Sequence, residues 1–106
     1  MLKQRLENKL AEVSAKASAI YGREFPKIPV RYDLRGRTAG MFCWRGGAGH
    51  FRINMEALLK YTEHFLDNVV VHEFAHYAAF LLYGPKVGHG TQWRTTMIRL
   101  GAKPSR

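Results

Sequence analysis

The stretch Asp67-Asn68-Val69-Val70-Val71-His72-Glu73-Phe74-Ala75-His76-Tyr77-Ala78-Ala79-Phe80-Leu81-Leu82-Tyr83 decides how the rest of the chain is read. It is apolar nearly all round, which predicts a central, buried helix. Asp67 stands where it can cap the start, and Gly84-Pro85 where the helix must end. His72, Glu73 and His76 break the apolar surface. A carboxylate in such a helix is costly unless it is paired or lies near a metal.

The spacing of these three residues points to a metal. His72 and His76 are four apart and share one helical face, about one turn from each other. Two imidazoles so placed suit one Zn²⁺ ion. Glu73 is rotated about 100° from His72, too far to share its ligand direction. It is placed instead to take a proton from a metal-activated water, the division of labour of the HExxH pattern. A catalytic zinc site needs a third protein ligand, and two residues are candidates. His89 lies in Gly88-His89-Gly90, where the turn at Gly84-Pro85 brings the chain back towards the helix. Cys43 lies mid-strand between Phe42 and Trp44, where a small buried residue is the ordinary reading. His50 and His64 read as surface residues.

Outward from this helix the chain reads as α+β. Leu2, Leu6, Leu10, Val13, Ala17 and Ile20 recur at helical steps, and Gly22 and Pro26 close that helix. Ile28 to Leu34, Thr38 to Trp44 and His50 to Asn54 read as three strands. Gly46-Gly47-Ala48-Gly49 forms the hairpin connection, and Asn54 caps a helix from Met55 to Phe65. A last helix runs from Thr91 to Leu100. No linker divides the 106 residues, so residues 1–106 are expected to form a single domain. The Thr38–Trp44 strand is a candidate edge for an extended substrate.

Composition narrows the setting. Lys and Arg number 17 against 8 acidic residues, a formal net charge of +9. The candidates for a nucleic-acid surface are Arg31, Arg35, Arg37, Arg45, Arg52, Lys86 and Arg94. Trp44 and Tyr61 are candidates to stack on bases. Trp93 and Met97 share one face of the last helix, which reads as core packing. Cys43 is the only cysteine, which excludes a disulfide framework and a Cys-rich zinc module. The N-terminus has no apolar signal core, and no apolar run is long enough to span a bilayer. A cytoplasmic location, no membrane partner and a monomer are the expectations.

At this point the chain resembles a known family. His72-Glu73-Phe74-Ala75-His76, then Gly88-His89-Gly90-Thr91-Gln92-Trp93-Arg94 and Met97, is similar to the SprT-like metalloprotease domain. Thr38-Ala39-Gly40 and Phe51-Arg52-Ile53-Asn54-Met55 fit the same pattern, so the likeness covers roughly residues 1–102. HExxH alone is shared by many zincins, and GHGxxW at this distance makes the match far more specific. The resemblance implies a small zincin-like α+β domain, with an N-terminal helix, a three-stranded sheet, a buried HExxH helix and a C-terminal helix. It implies one Zn²⁺ held by His72, His76 and His89, with Glu73 catalytic as general base in hydrolysis of a peptide bond. The eukaryotic relative Spartan cleaves proteins crosslinked to DNA. The expected partners are therefore a protein or peptide substrate and DNA, single-stranded or distorted rather than intact duplex. The four-cysteine zinc ribbon common in the family does not fall within these residues. Two other readings share the motif: a zinc-stabilised DNA-binding module that does not need Glu73, and a deformylase-like amidase that would use Cys43.

Overall fold

The computed structural model describes residues 1–87 and 89–102. Helix α1 (Leu2–Tyr21) buries Leu6, Val13 and Ala17, the centre of the apolar stripe seen in the sequence. It stops at Gly22, whose φ of 64° is the left-handed conformation that glycine adopts without a Cβ clash. Three strands follow: β1 (Val30–Arg31), β2 (Gly40–Arg45) and β3 (Ala48–Ile53). Their order across the sheet is β1-β3-β2. β1 pairs parallel to β3, and β2 pairs antiparallel to it with Phe42 opposite Phe51 and Cys43 opposite His50.

Two elements differ from the sequence expectation. The strand expected over Ile28–Leu34 is only Val30–Arg31. Leu34 hydrogen-bonds to Ile53, but Asp33 is exposed and its side chain holds Arg52 instead of extending the ladder. The hairpin loop is two residues, not four: Gly46 and Gly47 have φ of 60° and 80°, and Arg45 pairs with Ala48. Positive φ at both central positions is the requirement of a tight hairpin turn whose twist matches the strands.

Asn54 does more than start a helix. Its side-chain oxygen accepts from the backbone N–H of Ala57 at 3.2 Å, which caps α2 (Met55–Lys60). Its amide nitrogen donates to the carbonyls of Gly36 and Thr38 at 3.0 and 3.1 Å. One buried side chain thus ties the approach to β2 to the helix that follows β3. The helix expected to run to Phe65 is broken at Tyr61, after which come a short turn, α3 (Thr62–His64), and a π-helical turn, Phe65–Val69. That turn runs without a gap into α4 (Val70–Tyr83). Asp67 therefore does not cap the central helix. It lies inside the π turn, with its carboxylate in solvent 3.9 Å from Lys9. The wider turn places Phe65, Leu66 and Val70 together in the core, which an exposed cap at Asp67 would not do.

Helix α4 lies at the centre, as its composition requires. Val70, Val71, Phe74, Ala75, Tyr77, Ala78 and Ala79 are buried. Phe74 and Tyr77 pack on Phe25 and Phe51 beneath α1 and the sheet, and the Tyr77 hydroxyl donates to the Pro26 carbonyl at 2.6 Å. Helix α5 (Thr91–Arg99) closes the other side with Trp93 and Met97, both buried. Each such side chain contributes about 1.5–3 kcal/mol by leaving water. Among the described residues no helix is long and apolar enough to cross a membrane.

Candidate metal centre

The α4 surface not covered by core is the site. His72 and His76 are partly exposed, while their neighbours Val71, Glu73, Phe74, Ala75 and Tyr77 are buried. His89 reaches them from the segment before α5, just ahead of Gly90, which precedes the first turn of that helix. Gly88, one of the two glycines expected to let this segment turn, lies outside the described residues.

The rings of His72 and His76 are 5.0 Å apart, those of His76 and His89 4.5 Å, and those of His72 and His89 5.8 Å. One ring nitrogen from each lies within 4.8 Å of the others, so the three could hold one metal ion. Burial depresses the basicity of His72 and of His76, and the neighbouring histidines add to it, bringing His76 down to about 4. Neutral imidazoles with free lone pairs are the form that binds metal. Three nitrogen donors and an open side suit Zn²⁺ in a catalytic arrangement.

Trp93 is the support under these rings. Only 1% exposed, its indole stacks on His76 at 5.0 Å and 18° and meets His72 and His89 edge-on at 5.0 and 4.6 Å. Its place on the apolar face of α5 identifies it only as a packing residue. That it touches all three imidazoles follows from the crossing of α4 and α5.

Glu73 turns from the histidine face towards β2. It is 8% exposed, and burial raises its carboxyl to about 7, a backbone hydrogen bond from Phe42 acting the other way. Its oxygen lies 3.8 Å from the His72 nitrogen, but His72 is held neutral, so this is no ion pair. Gly40 makes the approach possible: a Cβ there would come within 3.2 Å of Glu73 Cγ and 3.1 Å of Val69. The carboxylate thus lies at the rim of the histidine cluster, between α4 and the outer edge of β2.

Cys43 is not part of this cluster. Side chains alternate along a strand, so the face that carries Gly40, Phe42 and Trp44 looks at α4 and Cys43 looks away, beside His50. His50 and His64 also lie outside the cluster, His64 exposed and beside Asn68.

The basic residues are divided among several places. Arg31, Arg45 and Arg52 share the outer face of the sheet with His50, whose basicity is lowered by burial and by these three cations. Arg52 is already engaged with Asp33 at 2.9 Å. Arg35 and Arg37 are exposed on the segment between β1 and β2, Lys86 on that between α4 and α5, and Arg94 on α5.

Comparison with known proteins agrees with the motif. The SprT-like family model matches residues 10–106. This chain belongs to the SprT-like family. It is 30% identical over 99 residues to Protein SprT of Shewanella oneidensis, covering 93% of this chain and 62% of the relative. It is 33% identical over 96 residues to Protein SprT of Photorhabdus laumondii, covering 91% and 48%. Against Protein SprT of Escherichia coli the identity is 31% over 105 residues, covering 99% and 62%. The chain therefore spans about half to three-fifths of the length of these SprT relatives. No solved structure matches it.

Proposed function

We propose that this SprT-like chain is a zinc-dependent endopeptidase acting on proteins associated with DNA. The observation that carries the reading is the meeting of three imidazoles, from α4 and the segment before α5, with a buried carboxylate at their rim. When bound, Zn²⁺ would polarise the scissile carbonyl and make a water nucleophilic near neutral pH. His72, His76 and His89 would hold the ion, and Trp93 would fix their rings. Glu73 is the general base: its buried carboxylate at the rim of the cluster takes a proton and returns it to the leaving amine. Phe42 orients that carboxylate through its backbone N–H. The outer edge of β2 pairs with no other strand among the described residues; Glu73 engages its Phe42 N–H, and the edge groups on either side suit an extended polypeptide.

DNA enters through charge. Arg31, Arg45 and Arg52 on one sheet face, within a chain of net charge +9, favour a polyanion. Single-stranded or distorted DNA is the proposed form, and a cytoplasmic monomer the proposed state. The amidase alternative is disfavoured by Cys43, which faces away from α4. The binding-only alternative leaves Glu73, a buried carboxylate, without a purpose. The test is proteolysis of a basic DNA-binding protein with and without single-stranded DNA, using Glu73→Gln as control, with metal analysis on the same sample. Equal cleavage by wild type and Glu73→Gln would sink the peptidase reading.

A further inference from the structure

The exposed face of α4 does not end at the histidines. Phe80 lies four residues past His76 and Tyr83 three past Phe80, so the stripe that begins at His72 turns aromatic. Trp44, 40% exposed at the far end of β2, lies against Phe80 with ring centroids 4.7 Å apart, and Phe42 lies 5.7 Å from Phe80. The indole is held in place by what is missing opposite it. Its cross-strand partner is Gly49, where a Cβ would come within 2.8 Å of Trp44 Cε3. The ring lies across β3 only because that position is glycine. A half-exposed aromatic pair fixed in this way is costly to leave in water and marks a contact site.

What would contact it is indicated by the strand itself. The Phe42 N–H points outward to Glu73, and groups alternate along an antiparallel strand. Gly40, Phe42 and Trp44 therefore turn their N–H and C=O groups to the outer edge, where Glu73 engages only the Phe42 N–H. A polypeptide backbone matches such a row, whereas a nucleobase would use the indole and leave the edge unpaired. We propose that Trp44 and Phe80 form an apolar subsite for an aromatic or large aliphatic side chain of an extended polypeptide paired to β2. Phe80 lies about 6 Å along the helix axis from His76. An extended chain advances about 3.3 Å per residue, so the favoured side chain is about two residues from the scissile bond. This subsite rests on the peptidase reading and adds a substrate preference to it.

The test separates the two. Zinc-loaded Glu73→Gln protein, which holds peptide without turning it over, is titrated calorimetrically with decapeptides that carry one Phe at successive positions in an Ala/Ser background. One Phe position is expected to tighten binding about ten-fold, Trp44→Ala to abolish that gain, and Trp44→Phe to keep most of it. Gly49→Val, which displaces the indole without removing it, is expected to act like Trp44→Ala. Thermal melts confirm that each variant is folded. No gain at any Phe position, or a gain that survives in folded Trp44→Ala, overturns the subsite. So does a Trp44-dependent affinity for single-stranded oligonucleotide with no Phe gain, which would assign the wall to nucleic acid. Cleavage by the wild type distinguishes the remaining cases. Cuts at a fixed offset from aromatic residues support both readings, and cuts without any such offset overturn the subsite alone. A Phe gain with no cleavage removes the peptidase reading and leaves a polypeptide-binding site.

Discussion

The two faces of β2 differ in how firmly their residues are held. On the inner face, Gly40 makes room for Glu73, Phe42 packs on Tyr77 and Phe80, and Trp44 lies across Gly49. On the outer face, Met41, Cys43 and Arg45 stand beside His50, Arg31 and Arg52 with much of their surface in water. The arginine best anchored there, Arg52, is tied to a half-exposed Asp33, a solvated ion pair that contributes little to stability. Groups held by burial have fixed distances and shifted proton affinities, which chemistry requires. Solvated cations supply attraction that salt weakens and geometry does little to direct.

The largest effects should therefore come from the inner side. Glu73→Gln is expected to lower peptidase turnover by about 10²–10⁴-fold while metal content stays at wild-type level, measured by protease assay and metal analysis together. His76→Ala should lose the metal itself. Trp93→Ala touches no substrate, yet it should weaken zinc binding about 10–100-fold in competition with a chelating dye, because it frees all three rings. Trp93→Phe should recover part of that affinity. If Trp93→Ala binds zinc as tightly as wild type, the indole is packing alone.

A fourth prediction uses proton linkage in the chelator-treated, metal-free protein. The Glu73 carboxyl is raised from 4.5 to about 7 on folding, so the charged form penalises the folded state at high pH. That penalty is full above pH 7 and is relieved as pH falls towards 4.5. Metal-free Glu73→Gln should thus be more stable than metal-free wild type at about pH 8, by about 3 kcal/mol, and should lose that advantage by about pH 5. Urea melts at the two pH values check this, and an advantage independent of pH would refute it. His72 and His76, both depressed, are common to the two proteins and cancel in the difference.

The smallest effects should come from the outer face. Arg31→Ala with Arg45→Ala is expected to reduce the slope of log affinity for single-stranded DNA against log salt by about 1.4, roughly 0.7 for each phosphate no longer neutralised. Cleavage of a DNA-free peptide should be unchanged. An unchanged salt slope would move the DNA surface elsewhere, to Lys86 or Arg94 at the α4–α5 side.

Much of this is legible in the chain because it depends on local periodicity. The spacing of His72 and His76, the apolar continuation to Tyr83 and the stripe from Leu2 to Ile20 each depend on one helix, and each holds in the structure. The glycine pair at 46–47 and the cap at Asn54 are likewise local chemistry. Where expectation and structure part, a local signal is overruled by packing. Asp67 has a capping residue's chemistry, but burying Phe65 and Leu66 keeps the backbone helical through it. Ile28–Leu34 alternates like a strand, but only Val30 and Arg31 pair in register with β3, while Pro29 and Leu34 each add a single hydrogen bond to it.

By itself the sequence determined which residue types could bind a metal and on which helical face two of them stand. A repeat of four residues on a helix fixes that without reference to anything else. Only the tertiary structure decided the rest. Packing of α5 on α4 brings His89 to the pair and slides Trp93 beneath all three. Packing of β2 on α4 turns Glu73 to Phe42, lays Trp44 on Phe80 and points Cys43 away. Those contacts join residues far apart in the chain, and no spacing rule along a single element can encode them.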